Sequence, residues 1–177
     1  GRRHLIRARI ARPEEVAARR NLAFNPYDRH GDTGIYPHAR ANVETRGEAV
    51  FAAYNAIDGI YENGSHGEWP YQSWGINRDP NAEWTLSFGR PVGIDELRLT
   101  LRADFPHDSW WESAVVAFSD GSEETLELKK ESHPQAFDIK ARTVEWLTLR
   151  HLKKVDDPSP FPALTQFEAW GTEAAEQ

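Results

Sequence analysis

The sequence predicts an all-β protein, an antiparallel β-sandwich or jelly roll with a short N-terminal helix. Two observations predict this fold class. After residue 81, apolar residues recur at every second position in several short segments, which is the period of a strand with one buried face. No helical period separates these segments, whereas a parallel βαβ fold needs a helix between its strands. At 177 residues the chain is long enough for one domain with a single core.

The first predicted element is a helix over 13–20. Pro13 suits a first helical turn, Glu14 and Glu15 stand near the positive end of the helix dipole, and Arg19 and Arg20 stand near its negative end. We therefore divide the chain into an N-terminal extension over 1–20, a β-sandwich over 21–171 and a tail over 172–177.

Residues 21–81 are predicted to form structured loops, because they are rich in Gly, Pro, Asn, Asp and aromatic residues and show little periodicity. The one exception is 47–57, which is compatible with a helical turn or two. Long structured loops often carry binding residues. We expect the functional residues of the protein to lie largely in this region.

Alternating apolar residues mark the strands that follow. They are Trp84, Leu86 and Phe88 in the first segment, Leu97, Leu99 and Leu101 in the second, and Ala114, Val116 and Phe118 in the third. An Asp-Gly turn at 120–121 then leads into Leu126 and Leu128 and indicates a hairpin. Further strands are predicted at 136–139, 144–149 and 164–170. The strand patterns also predict that Trp84, Trp146 and Trp170 are buried.

Composition excludes several classes of partner. The net charge of -7 disfavours a nucleic-acid partner, because phosphate binding draws mainly on clustered Lys and Arg. The arginine-rich stretch over 2–12 is expected to be solvated, with an interaction arm as the alternative. No apolar run approaches the roughly 18 residues that a membrane span needs, and no signal peptide is visible. Without cysteine there is no disulfide, and without methionine the chain is expected to be processed or cut from a larger, multidomain protein, which leaves its localisation open.

The segment over 68–77 indicates the ligand. Trp69, Tyr71 and Trp74 stand there among amide, hydroxyl and carboxylate side chains. Such a mixture suits a ligand with apolar and hydroxylated faces, because rings pack on C–H surface while polar groups bind the hydroxyls. Sugars are such ligands, so the segment predicts carbohydrate as the partner.

Two further loops, over 102–111 and 156–162, are expected to meet the first at one end of the sandwich. The candidate ligand contacts are the aromatic residues Trp69, Tyr71, Trp74, Trp110, Trp111 and Phe161 and the polar residues Arg102, Asp104, His107 and Asp157. The polar groups can bind hydroxyls or a carboxylate. Structural alternatives stay open, because the tryptophans can fill the core and Arg102 can simply pair with Asp104.

Five motifs carry a resemblance to a known family. They are Asn-Leu-Ala at 21–23, Asn-Ala-Ile-Asp-Gly at 55–59, Ala-Glu-Trp-Thr-Leu-Ser-Phe-Gly at 82–89, Ile-Asp-Glu-Leu-Arg-Leu at 94–99, and Leu-Thr-Gln-Phe-Glu-Ala-Trp-Gly at 164–171. In this order they resemble the galactose-binding-like jelly rolls, which comprise discoidin-type domains and many bacterial carbohydrate-binding modules. The resemblance implies an eight-stranded β-sandwich with a ligand site in the loops at one end.

The resemblance also implies a structural calcium ion near the Asn-Ala-x-Asp-Gly motif. The candidate ligands are Asn55, Asp58, Ile60, Asn63, Thr165 and Gln166. Calcium prefers several oxygen ligands, and Asp58 would supply a carboxylate while backbone carbonyls supply others. Where the family often has Glu, this chain has Gln166, and the lost charge is expected to weaken calcium binding or leave the site without metal. The alternative role of Asp58 is to cap its own turn.

The leading hypothesis for function is a non-catalytic, lectin-like carbohydrate-binding module. One alternative is a small glycan-active enzyme with Glu68 and Asp104 as acid and base, and another is a protein-interaction domain with exposed aromatics. Common catalytic signatures are absent from the sequence: it has no Gly-rich phosphate loop, no Gly-x-Ser-x-Gly elbow and no cysteine nucleophile. A metal cluster of His38, His66 and His107 lacks any recognised ligand spacing.

Overall fold

The computed structural model of the protein describes residues 7–31, 34–62, 67–103 and 109–174. Its one α-helix in these ranges, α1, spans Pro13–Val16, and short 3-10 turns span Thr45–Gly47, Ala49–Phe51 and Ala53–Ile57. The strands are β1 Arg20–Asn21, β2 His38–Ala41, β3 Trp74–Gly75, β4 Trp84–Leu101, β5 Trp111–Phe118, β6 Glu123–Glu127, β7 Gln135–Lys154 and β8 Ala163–Glu173. The strand pairs are all antiparallel, which confirms the predicted fold class.

The helix α1 is shorter than predicted, because the chain turns into a strand at its C-terminal side. Arg20 pairs with Gly171 of β8, and the Arg19 guanidinium donates to the Asp95 carboxylate at 2.8 Å. These contacts draw 19–20 onto the sandwich instead of into a second helical turn. The helical turns expected over 47–57 are present as 3-10 turns.

Strand β4 joins two segments that were predicted as separate strands. It runs for 18 residues, and its register against β7 shifts between Ser87 and Val92. Gly89 lies in this irregular stretch with φ of 72°, a conformation that favours glycine, and its Cα faces the ring of Tyr36. The chain can therefore bend at Gly89 without ending the strand.

The bend lets β4 pair with strands in both layers of the sandwich. Its first part, Trp84 to Ser87, lies between β2 and β7, whereas its second part, Ile94 to Leu101, lies between β7 and β8. The strand order is β1-β8-β4-β7-β5-β6, with β2 also pairing with β4 and β3 with β8. The ring of Trp84 lies 5.0 Å from that of Phe167 on β8, so the two parts close over one core.

The core includes the alternating residues that the sequence indicates. Trp84, Leu86 and Phe88 are fully buried, as are the leucines of the second segment. Each such side chain contributes about 1.5–3 kcal/mol through burial. The predicted burial of Trp84 is therefore confirmed.

The prediction of burial is wrong for the two other strand tryptophans, Trp146 and Trp170. Trp146 is 41% exposed, because Leu147 and Leu149 face the core and the alternation sends Trp146 to the outer face. Trp170 is half-buried, and the guanidinium groups of Arg19 and Arg98 lie 5.5 Å and 4.5 Å from its ring centroid. Both rings thus belong to the surface of the sandwich and not to its centre.

Three chain segments meet at the end of the sandwich where β4 stops and β8 starts. Gly75 of β3 pairs with Ala163 of β8, and the backbone N–H of Arg102 donates to the Ala163 carbonyl at 2.9 Å. The described parts of the chain next to β3, after β4 and at the start of β8 are thereby brought together, as predicted for these three loops. Across the ranges that the structure describes, no helix has the length and apolar character needed to cross a membrane.

Candidate functional site

A cavity of about 310 Å³ opens at this end of the sandwich. Its walls combine aromatic and charged side chains: Phe51, Tyr71 and Phe161, with Arg46, Glu48 and Arg102. The volume falls at the lower end of the range for small-ligand sites, and a mainly apolar wall with a few polar groups is their usual character. We name this feature the end cavity.

One wall of the end cavity comes from the 3-10 turns. The Thr45 hydroxyl accepts a hydrogen bond from the Asn77 backbone N–H at 3.0 Å, which ties the first turn to the segment after β3. Gly75 allows this close approach, since a Cβ there would lie 2.5 Å from the Thr45 hydroxyl oxygen. Arg46 adopts φ of 54° in the turn, a left-handed conformation uncommon for a side chain other than glycine.

Arg46 and Glu48 form a bidentate ion pair on this wall. The Arg46 Nε lies 2.6 Å from one Glu48 carboxylate oxygen, and Nη2 lies 2.8 Å from the other. These hydrogen bonds lower the pKa of Glu48 and raise the pKa of Arg46. The Arg46 guanidinium also lies 5.5 Å from the ring centroid of Phe51. The pair therefore stays ionised at neutral pH, and it adds donors and acceptors beside an aromatic face.

Arg102 supplies a buried positive charge to the end cavity. It is only 6% exposed and donates a hydrogen bond to the Tyr71 backbone carbonyl at 3.2 Å. Its guanidinium also lies 5.9 Å from the Tyr71 ring centroid. Guanidinium stays protonated in proteins and has a rigid set of donors. The cavity thus includes a fixed cation next to an aromatic ring.

Tyr71 is at the centre of an aromatic cluster. Its ring meets Phe51 at 6.3 Å and Trp69 at 6.4 Å, both in edge-to-face geometry. Trp69 is 64% exposed beside it. On the other side of the cavity, the half-exposed Phe161 ring has the Arg78 guanidinium 4.6 Å from its centroid. Apolar ring surface thus remains available to a ligand both inside the cavity and at its edge.

Several of the predicted ligand contacts come together in this region. Tyr71, Arg102 and Phe161 line the end cavity, and Trp69 packs against Tyr71. The prediction that Asp104 and His107 contact the ligand concerns residues outside those that the structure describes. It stays a prediction, as does the proposed acid–base pair of Glu68 and Asp104.

The prediction of ligand contact is wrong for two of the loop tryptophans, Trp74 and Trp111. Both are fully buried, and their rings pack against each other with centroids 6.2 Å apart. Trp74 belongs to β3, whose pairing with β8 sends the ring into the core, and its indole N–H donates to the Val43 carbonyl at 3.0 Å. These two side chains support the cavity from within the core instead of contacting a ligand.

Trp110 and Asp157 stabilise the neighbouring loop. Trp110 is half-buried against the core. The Asp157 carboxylate accepts hydrogen bonds from the Ser109 hydroxyl and the Lys154 ammonium, both at 2.9 Å. Burial acts to raise the pKa of Asp157, but these hydrogen bonds outweigh it and the pKa is lowered. Neither residue is among the described residues that line the end cavity, and their contact with a ligand stays a prediction.

The cavity residues on the 3-10 turns were not predicted from the sequence. Thr45, Arg46, Glu48 and Phe51 line the end cavity, yet the surrounding segment was assigned only a helical turn. A signal was present, because opposite charges and an aromatic residue flank Gly47 just as aromatic and polar residues mix over 68–77. The same mixture of aromatic and polar residues predicted Tyr71 as a ligand contact.

The predicted calcium ligands also come together, but around an amide nitrogen. The Gln166 Nε2 donates to the Asn55 carbonyl at 2.8 Å, to Asp58 Oδ1 at 2.7 Å and to the Ile60 carbonyl at 3.3 Å. The Gln166 Oε1 accepts a hydrogen bond from the Gly59 N–H at 3.0 Å. Three of the expected oxygen ligands therefore converge on one point, and the side chain of Gln166 lies there.

This donor set does not fit calcium. Calcium takes six to eight oxygen ligands and favours several carboxylates, whereas Asp58 is the one carboxylate in the described part of this cluster. Its Oδ1 also accepts the Ile60 N–H at 2.8 Å, which is the turn-capping role left open by the sequence. Burial raises the pKa of Asp58, while hydrogen bonds from the Ile60 N–H and from the Gln72 and Gln166 amides act to lower it. Elsewhere in the described ranges, no three His, Cys, Asp or Glu side chains are grouped so as to hold a metal ion.

The roles of the remaining predicted metal ligands stay predictions. Thr165, whose backbone carbonyl is the predicted ligand, is buried on β8 next to Gln166, and its hydroxyl has no hydrogen-bond partner among the described residues. Asn63 lies outside those residues. Of the three histidines considered for a cluster, His38 lies 2.7 Å from the Asp28 carboxylate, and His66 and His107 are outside the described ranges.

No protein-family model and no curated protein matches the sequence. Solved structures do match. The lectin domain of lectinolysin in complex with Lewis B antigen is 14% identical with a TM-score of 0.61, over 88% of this chain and 98% of that one. A fucose-binding module of Streptococcus pneumoniae is 13% identical with a TM-score of 0.59, over 89% and 99%. Chitosan-binding module 1 of a chitosanase/glucanase from Paenibacillus sp. IK-5 is 18% identical with a TM-score of 0.59, over 86% and 99%.

At this level of identity the matches establish the fold. The covered fractions include nearly all of each of these structures, so the likeness extends over the whole sandwich and not over one motif. The chain has the fold of these carbohydrate-binding and lectin modules, the galactose-binding-like β-sandwich.

Proposed function

We propose that the protein is a carbohydrate-binding, lectin-like module that holds a glycan in the end cavity. The observation that carries the proposal is the combination, in one cavity, of the Tyr71 and Phe161 rings with the Arg46–Glu48 pair and Arg102. Rings pack on the C–H face of a sugar, while charged groups make strong hydrogen bonds to its hydroxyls. A ligand with one apolar and one hydroxylated face satisfies both kinds of wall.

The fold supports the same function. The structures that share it bind fucose, chitosan and Lewis B antigen, according to their descriptions. A fold by itself does not determine function, so the proposal depends on the cavity and not on the likeness. The chitosan-binding module comes from a chitosanase/glucanase. By analogy, we propose that this module is likewise part of a larger multidomain protein.

The shape of the site favours the end of a glycan over the middle of a long polymer. The end cavity is small, at about 310 Å³, and lies at one tip of the sandwich. Trp69 is exposed beside Tyr71, outside the set of lining residues. A terminal sugar would occupy the cavity, and the next sugar would stack on Trp69.

A glycan array followed by calorimetric titration of the hits tests the proposal. We expect Phe161→Ala, Arg46→Ala and Trp69→Ala each to weaken binding by about 1–3 kcal/mol, if base-like stacking and charged hydrogen-bond magnitudes apply to sugars. The matched control is Trp146→Ala, since Trp146 is also a part-exposed tryptophan but lies on the outer face of β7. This control should bind as the wild type does.

Two results would contradict the proposal. One is unchanged affinity for a verified glycan in all three cavity variants. The other is an equal loss in the Trp146 control, which would move the binding surface to the outer sheet. Mass spectrometry of the hit glycan after incubation separates a module from an enzyme, because a non-catalytic module leaves the glycan intact.

A further inference from the structure

We infer that the side-chain amide of Gln166 replaces a calcium ion in this protein, so that the sandwich folds without metal. The inference concerns the turn over 55–60, which is a separate feature from the end cavity. In the described residues, the amide nitrogen of Gln166 is the group on which the Asn55, Asp58 and Ile60 oxygens converge.

The hydrogen bonds fix the orientation of the Gln166 amide. Its Nε2 faces three acceptors, and its Oε1 faces the Gly59 N–H donor. A flipped amide would place Oε1 against a carboxylate and two carbonyls and would place Nε2 against an N–H group. Every contact would then join two acceptors or two donors. The observed orientation is the one that matches each donor to an acceptor.

The amide links β8 to the turn over 55–60, as a bound ion would. Gln166 is 2% exposed and lies on β8, where it pairs with Thr100 of β4. Its side chain ties this central strand to a turn more than 100 positions earlier in the chain. The connection is covalent on one side and hydrogen-bonded on the other, so it does not dissociate when metal is removed.

A calcium ion has no place in this arrangement. It would have to displace the Nε2 group from the three oxygens and would meet a single carboxylate, Asp58. Two neutral amide side chains instead donate hydrogen bonds to that carboxylate. Gln166 donates to Oδ1 at 2.7 Å and Gln72 to Oδ2 at 3.3 Å.

One substitution should therefore create a calcium site. Gln166→Glu puts a second carboxylate where Nε2 lies, next to Asp58 Oδ1 and two carbonyl oxygens. Without metal the two carboxylates repel each other, and the variant should be less stable than the wild type. With calcium the same oxygens become ligands, and binding to the folded state alone raises its stability.

The experiment is a set of thermal melts of the full chain in EDTA, in millimolar calcium chloride and in millimolar magnesium chloride, together with calorimetric calcium titration. The wild type should melt at the same temperature in all three and take up no calcium. Gln166→Glu should melt lower in EDTA and rise by several degrees in calcium. Gln166→Leu is the matched control: it removes the amide without adding charge, so it should melt lower and not respond to calcium.

The wild-type titration tests whether the protein needs calcium, and the variants test whether Gln166 lies at the cation position. Stoichiometric calcium uptake by the wild type, or a fall in its melting temperature in EDTA, would overturn it. A Gln166→Glu variant that folds only when calcium is present would support it. A variant that gains nothing from calcium would overturn the assignment of Gln166 to the cation position.

Discussion

Trp74 and Trp69 lie in the same short segment, yet the structure predicts opposite consequences of replacing them by alanine. Trp74 is fully buried against Trp111, whereas Trp69 is 64% exposed. Trp74→Ala should therefore destabilise the fold strongly. Trp69→Ala should leave stability nearly unchanged and affect only ligand binding.

The magnitude for Trp74→Ala follows from two losses. Removing a fully buried tryptophan costs about 3–5 kcal/mol through lost transfer energy and the cavity that remains. The Val43 carbonyl also loses the indole donor now 3.0 Å away, which places the cost toward the upper end of that range. Against a typical total of about 5–15 kcal/mol, the variant loses roughly a fifth or more of its stability. For a domain of this size the melting temperature should fall by roughly 6–20 °C.

Urea denaturation followed by far-ultraviolet circular dichroism measures both effects. Circular dichroism is preferable to tryptophan fluorescence, because each variant removes one of the fluorophores. Trp69→Ala should stay within about 0.5 kcal/mol of the wild type. The reasoning is refuted if Trp74→Ala costs less than about 1 kcal/mol, or if the two variants lose equal stability.

Two further predictions concern the far end of the sandwich. Gly171→Ala should cost about 1–3 kcal/mol or more, because a Cβ there would overlap the Gly93 carbonyl oxygen, whereas Gly93→Ala should melt close to the wild type, since its Cβ would meet nothing nearer than 3.8 Å. Equal melting of both variants would contradict this steric account. Hydrogen bonds from Arg90 lower the pKa of Glu173, so its stabilisation is present above its unfolded pKa of about 4.3 and is lost as the pH falls through the lowered folded pKa. Calorimetry should find that the melting difference between the wild type and Glu173→Gln shrinks below about pH 4, and a difference independent of pH would count against the ion pair.

Local alternation was enough to predict the strands and much of the core. The residues Leu86, Leu97 and Leu99 needed only the period of two, because a strand that buries one face must repeat in this way. The same rule also predicts that Trp146 is exposed. Leu147 and Leu149 determine which face of the strand is buried, and Trp146 lies on the opposite face. The error came from treating a large aromatic residue as core by its type instead of by its phase.

The site was predictable only where loop composition reflects it. Tyr71 and Phe161 were found because aromatic and polar residues mix in their loops. The burial of Trp74 depends on the pairing of β3 with β8, which joins segments almost 90 positions apart and leaves no local pattern. Arg46 was missed for a different reason: its segment also mixes charged and aromatic residues, but it was interpreted only as a helical turn. The role of Gln166 required knowing which way its amide faces, which only the three converging oxygens reveal.

The pairing of β1 with β8 determines how the module is presented to its surroundings. Arg20 lies opposite Gly171, whereas the end cavity is lined by Ala163, eight positions earlier on the same strand. At about 3.3 Å per residue these positions are roughly 26 Å apart. The chain therefore enters and leaves the sandwich at the end remote from the cavity. A domain fused before β1 or after β8 would be attached at the end opposite the cavity. Such a domain would not obstruct the opening of the cavity, and the length of its linker would determine how far from that domain the cavity can bind.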